Sequence, residues 1–213
     1  MRPFRVAVTF DAEHPDRPHH LVGHEHELLD TLGELDVRAT FFVQGRWAEA
    51  FPDAARRIGD EGHLVGNHSH YHARMHLLTE AGLREDLRAA AGVIERHCRR
   101  DPVPWFRAPF GAGASDARVQ DALQELGYTQ VLWTSTGSDW DPERTAAHVE
   151  DELLASALAH GDGAILLCHT WPSHTYATLA GTIARLRSAG AQLVTVDQLD
   201  ASQIPSTWGP GGD

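Results

Sequence analysis

The stretch VTFDAEH, residues 8–14, carries an apolar run straight into two carboxylates, Asp11 and Glu13, separated by one alanine. On an extended backbone, residues two apart face the same way. If the strand runs on through Glu13, both carboxylates therefore share one side and Ala12 faces the other. Two carboxylates on one side repel unless a cation or a proton lies between them. The segment NHSHYH, residues 67–72, offers His68 and His72 four apart, on one face if the segment turns helical. His70 replaces either of them only on an extended backbone. Two imidazoles plus a carboxylate from another strand make a usual catalytic zinc set with a position open for water. The competing reading is a polar loop that happens to be histidine-rich.

Three further stretches interrupt apolar runs with reactive side chains. In FRAPFG, residues 106–111, Arg107 either lies over Trp105 at the surface or reaches a buried carboxylate such as Asp11 and holds it ionised. The turn after Pro109 presents the N–H groups of Phe110 and Gly111, donors of the kind that stabilise an oxyanion. Asp139 and Trp140 read as a turn with an aromatic plug, or as an aspartate that sets a histidine's orientation beside an indole. His169 follows the apolar run AILLC abruptly and suits a general acid at a strand end.

These residues need elements to deliver them. Short apolar or β-branched runs read as buried strands: FRVAVTF, VRATFFV, HLVGN, PWFRA, YTQVLW, GAILLC and AQLVTV. Between them lie stretches of helical period: EHELLDTLGEL, AEAFPDAARRIGD, LREDLRAAAGVIERHC, DARVQDALQELG, TAAHVEDELLASALAH and LAGTIARLRSAG. Thr79 and Ser115 suit N-caps, and Gly127, Gly161 and Gly190 follow helices. Seven mostly apolar strands alternating with helices imply a parallel α/β protein covered on both faces, as an open doubly wound sheet or a closed barrel. In either case the chemistry belongs where strands end. The tail IPSTWGPGGD is expected to fray, so residues 1–200 form the domain and 201–213 a flexible tail.

With 213 residues, 42% hydrophobic and 23% charged, the chain suits one soluble domain. Its net charge of -12 argues against a nucleic-acid partner or an anionic membrane surface. Cys168 lies in an apolar run far from Cys98 and reads as a small buried hydrophobe rather than half a bridge. No run reaches membrane-spanning length, and MRPFRVAV is too short for a secretory leader. The chain as written reads as cytoplasmic; one from which a leader had been removed would look the same and be extracellular.

In order and spacing, TFDAE, HSHYH, RAPFG, DW and LCH resemble the five motifs of the polysaccharide deacetylase family, carbohydrate esterase family 4 or the NodB homology domain. The resemblance covers residues 5–200. It implies a distorted (β/α) barrel of about seven parallel strands and removal of an acyl group from an N-acetylated sugar. It further implies that Asp11 is the catalytic base and Arg107 the arginine that holds it. By the same resemblance His68 and His72 bind metal, and the Phe110 N–H stabilises the oxyanion. Asp139 pairs with the general acid His169, while Trp140 and Leu167 wall the pocket.

One position departs from the family pattern Thr-Phe-Asp-Asp-Gly. Its second Asp is the third metal ligand, and Ala12 stands in its place. Glu13 fits a variant that puts the ligand one residue later, and Ala12→Asp is then expected to be tolerated. The expected cofactor is a divalent ion, Zn²⁺ first, with Co²⁺, Mn²⁺ or Ni²⁺ as alternatives. The expected partner is an acetylated saccharide or a small amide. A cyclic amide or imide hydrolase on the same fold, and a catalytically silent carbohydrate-binding module, are the competing functions.

Overall fold

The computed structural model describes residues 3–14 and 24–208. Among them eight parallel strands form one sheet: β1 (Phe4–Ala12), β2 (Thr40–Val43), β3 (Leu64–Asn67), β4 (Trp105–Phe106), β5 (Thr129–Gln130), β6 (Ser135–Thr136), β7 (Ala164–His169) and β8 (Ala191–Val194). The pairing path is β5-β4-β3-β2-β1-β7-β6, with β8 alongside the start of β1. The fifth anticipated stretch supplies both ends of that path. It pairs with β4 at Thr129–Gln130 and, a few residues later, with β7 at Ser135–Thr136. The chain itself therefore joins the two sheet edges, and the result is a distorted (β/α) barrel.

Alternation along β1 sorts its side chains into two environments. Val6, Val8, Phe10 and Ala12 pack outward into the main core, against Leu28 and Leu32 of α1 (Glu25–Glu34), Ile58 of α3 (Pro52–Asp60) and Ile183 of α7 (Ser173–Ser188). Ala7 joins Phe42, Val131 and Ile165 in a separate inner cluster, and Thr9 and Asp11 continue on that inner side. Burying each large side chain in these clusters contributes on the order of 1.5–3 kcal/mol relative to exposure. Cys98 and Cys168 are both free and buried, as the run around Cys168 implied. Burial pushes the Cys98 thiol up to about 12.

The remaining helices are α2 (Gly45–Ala50), α4 (Glu80–Cys98), α5 (Ala117–Glu125) and α6 (Ala146–His160). Three local expectations are corrected. The helix read through residues 48–60 breaks at Phe51, because Pro52 opens a new helix at its first turn. The N-cap of α5 is Asp116, whose carboxylate accepts from the Arg118 N–H, and not Ser115. Residues 68–72 are not helical, with Ser69 and His72 at φ of 67° and 58°. Of the tail expected to fray, residues 201–208 carry a short 3₁₀ turn and a hydrogen bond from the Leu132 N–H to the Pro205 carbonyl. Residues 209–213 lie outside the described residues. No described helix is long and apolar enough to cross a membrane.

Candidate active site

Strand ends deliver every candidate residue to one rim of the barrel. Asp11 sits near the end of β1, His68 follows β3, Arg107 follows β4, Asp139 follows β6, and His169 closes β7. Asp11, Glu13, His68, His72 and His169 line a cavity of about 330 Å³, and Phe110, Trp140 and Leu167 supply apolar wall. Two walls that sequence reasoning missed are Trp133 and Trp171. Trp171 lay in plain view two residues after His169, just past the end of β7.

Arg107 is fully buried. Its Nη1 donates to Asp11 Oδ1 and to Thr9 Oγ1, each at 2.8 Å, and its Nε donates to the Val131 carbonyl at 3.2 Å. The guanidinium lies 4.1 Å from the Phe42 ring centroid. Burial lowers its pKa, and the Asp11 carboxylate acts in the opposite direction. The reading of Arg107 as a surface residue over Trp105 is therefore wrong. A buried arginine is tolerated because carboxylate, hydroxyl and carbonyl partners absorb its donors.

Glu13 lies one residue past the end of β1, yet its carboxylate turns into the same cavity as Asp11. Gln44 fixes this end of the chain: its backbone N–H donates to the Ala12 carbonyl, and its side-chain oxygen accepts from the His14 N–H, both at 2.9 Å. Glu13 Oε2 stands 3.0 Å from His68 Nε2 and 2.5 Å from His72 Nε2. His72 gets there without a helix. Asp86 accepts from the His70 and Tyr71 N–H groups and Ser69 Oγ accepts from His72 N, winding the segment into a tight turn. His70 points elsewhere, its Nδ1 against the backbone at Gly45.

The donor chemistry fits a cation. His68 Nδ1 faces the Arg107 carbonyl oxygen at 2.8 Å, and a carbonyl only accepts, so Nδ1 carries the proton. The ring then turns its Nε2 on a carboxylate oxygen 3.0 Å away. Lone pairs face each other stably only across a cation or an added proton. Donor atoms of Glu13, His68 and His72 all lie within 4.8 Å of one another. Burial pushes the Glu13 carboxyl up, but the close approach of the His68 and His72 imidazoles, with the charge of His169, outweighs it and holds it well below the usual range.

Beside Asp11 on the neighbouring strand, His169 Nδ1 and backbone N–H both reach Asp139, at 2.8 Å each, and Thr175 Oγ1 donates to Asp139 Oδ2 at 2.5 Å. Thr175 comes from the first turn of α7, and no local signal in the sequence marked it. Burial pushes the His169 pKa down, whereas the Asp139 charge and hydrogen bond raise it further, to about 9. Its Nε2 faces the cavity, 3.8 Å from Glu13 Oε1. Trp140 and Trp171 flank the ring at 5.4 and 5.8 Å between centroids.

Phe110 adopts the left-handed conformation, φ 60°. The turn around it closes through the Gly111 and Ala112 N–H groups and leaves the Phe110 N–H outside that pattern. Its ring packs 4.6 Å from that of His72.

A family model described as polysaccharide deacetylase matches residues 1–131. The chain belongs to the polysaccharide deacetylase family. A peptidoglycan-N-acetylglucosamine deacetylase from Listeria monocytogenes is 33% identical over 205 residues, 94% of this chain and 40% of that protein. This chain thus spans well under half of that relative. Among solved structures, T48 deacetylase with substrate is 30% identical with a TM-score of 0.80, covering 96% of both chains. A family 4 carbohydrate esterase pseudoenzyme from Bacillus anthracis is 26% identical with a TM-score of 0.79, over 92% of this chain and 65% of that one. The family model covers the first three strand-end motifs; Asp139 and His169 lie beyond it.

Proposed function

We propose that this polysaccharide deacetylase family member is a metal-dependent hydrolase that removes an acetyl group from an N-acetylated sugar or glycoconjugate. One observation carries the reading. A carboxylate held by a buried arginine and an imidazole held by a buried aspartate stand side by side in one cavity, within 4.8 Å of each other, with a Glu/His/His donor set on its wall.

Glu13, His68 and His72 would hold the divalent ion, Zn²⁺ on the strength of one carboxylate and two imidazoles. When bound, the ion supplies Lewis acidity to the acyl oxygen and to the attacking water. Asp11 takes a proton from that water on Oδ2, since Arg107 occupies Oδ1. The Phe110 N–H donates to the oxyanion as the carbonyl carbon turns tetrahedral. His169 Nε2 protonates the amide nitrogen as the C–N bond breaks, and its Nδ1–H stays on Asp139. The new C–O bond and the broken C–N bond leave acetate and a free amine. Leu167, Trp140 and Trp171 exclude bulk water around the acetyl group.

The silent-module reading has one observation behind it, the similarity to a pseudoenzyme. The deciding measurement is acetate release from N-acetylglucosamine oligomers by Zn²⁺-loaded protein. Release that disappears in Asp11→Asn supports hydrolysis; no release at any metal loading sinks it.

A further inference from the structure

The chain beyond β8 forms a strap that runs from the start of β1 to the rim of the active site. At the β1 end, Gln203 accepts from Arg5 Nη2 at 3.0 Å and donates to Asp162 Oδ2 at 2.9 Å. Leu199 and Ile204 pack into the inner cluster, and the Pro205 carbonyl accepts from the Leu132 N–H at 2.8 Å, between β5 and β6. The rim end is Trp208, half-buried, whose Nε1–H donates to the Gly111 carbonyl at 3.0 Å. Its ring also meets that of Trp133 edge to face at 4.9 Å between centroids, and Trp133 lines the active-site cavity.

Phe110 and Gly111 are consecutive left-handed residues, at φ 60° and 66°. That conformation is costly for an L-residue such as Phe110 and persists only where its surroundings hold it. The peptide after Gly111 is gripped at both edges. Trp208 takes its carbonyl, and its N–H, that of Ala112, donates to the Pro109 carbonyl at 2.9 Å. The indole also fills the space beside the turn: a Cβ on Gly111 would stand 2.6 Å from it. We propose that Trp208 is a positioning residue, which from the end of the strap clamps the Phe110–Gly111 turn and so keeps the Phe110 N–H available to the acyl oxygen. This rests on the hydrolase reading of the cavity. The indole makes this clamp without touching the reacting atoms, so its effect passes through the backbone of the turn.

The test uses the full chain, Zn²⁺-loaded, on N-acetylglucosamine oligomers. Trp208→Ala is expected to lower kcat about tenfold with KM held within about twofold, since an oxyanion donor acts in the transition state and not in substrate binding. Trp208→Phe keeps a ring against Trp133 and removes the N–H, and kcat is expected to fall about fivefold, the scale of one hydrogen bond. Gln203→Ala frees the other end of the strap, and is expected to lower the urea midpoint while leaving kcat within about twofold. Hydrogen exchange of the Ala112 amide needs no turnover. It is expected to quicken about fivefold in Trp208→Phe and to stay unchanged in Gln203→Ala. A loss confined to KM, or an equal loss of kcat in Gln203→Ala, overturns the positioning role. Acetate release with kcat unchanged in Trp208→Ala also overturns it and leaves the hydrolase reading intact. No acetate release from the wild-type chain, with quicker Ala112 exchange in Trp208→Phe, overturns the hydrolase reading and leaves the clamp. Unchanged Ala112 exchange in Trp208→Phe overturns the clamp whatever the kinetics.

Discussion

Asp11 and His169 are register partners on adjacent parallel strands, β1 and β7. The two groups proposed to move protons are thus placed by one ladder of backbone hydrogen bonds, and both side chains point into the barrel. Thr9 and Leu167 form the pair one inward step below them. The spacing between base and acid is set by the interstrand distance, not by loop conformation.

Asp11→Asn tests the base. Asparagine can still accept from Arg107, so the fold and the metal site are expected to survive. Turnover is expected to fall by about 10²–10⁴, the usual contribution of a general base. Metal content and kcat measured on one preparation check this, and turnover near the wild-type level refutes it.

Glu13→Ala is expected to lose bound metal and activity together, read by metal analysis of the purified protein. Full metal content in that variant removes Glu13 from the ligand set. Ala12→Asp, which the sequence suggested would be tolerated, is instead expected to destabilise the fold, because Ala12 is fully buried on the helix-facing side of β1. A carboxylate there is expected to cost about 2–5 kcal/mol of stability. Urea unfolding of Ala12→Asp measures that directly.

Thr175→Val removes one of the donors to Asp139 and leaves both from His169. The loss of one hydrogen bond to a charged group, about 1.5–3 kcal/mol, is expected to appear mainly in kcat. Thr175→Ser restores it. A change confined to KM, or no rescue by serine, argues against Thr175 as a positioning residue.

His63 makes stability depend on pH. It is buried under the Phe41 ring, accepts from the Ala39 N–H through Nδ1, and burial, then the charges of Arg38 and Arg57, lower its pKa from 6.5 to about 4. Between those values the unfolded chain binds the extra proton, so stability rises with pH. The contribution is fully present above pH 6.5 and is lost as pH falls toward 4, at most about 3 kcal/mol. His63→Asn keeps an acceptor for Ala39 and does not titrate. Unfolding curves for the two proteins are expected to converge at low pH; parallel curves throughout refute the assignment.

The rim residues were legible because a polar side chain ending an apolar run is conspicuous, and five such ends share one side of a parallel sheet. Asp11, His68, Arg107, Asp139 and His169 all meet around the rim for that reason. What stayed hidden depended on contacts distant in sequence or on rare backbone angles. Nothing local announces that Thr175 reaches Asp139 or that Trp208 reaches Gly111. The left-handed angles at Ser69 and His72 bring His72 to Glu13 by a turn where spacing suggested a helix. The division of residues 128–136 between two sheet edges was equally silent, since no glycine or proline separates the two pairing segments.

That divided run gives Arg107 a second employment. Where the run passes from β4 to β7, the Val131 and Leu132 carbonyls turn toward the guanidinium. The side chain that grips Asp11 is therefore also a stitch in the barrel's seam. Losing catalysis alone would leave those carbonyl contacts of the arginine in place. Its presence in a relative therefore speaks for shared architecture, and the proposed chemistry is read from Asp11 and His169 instead.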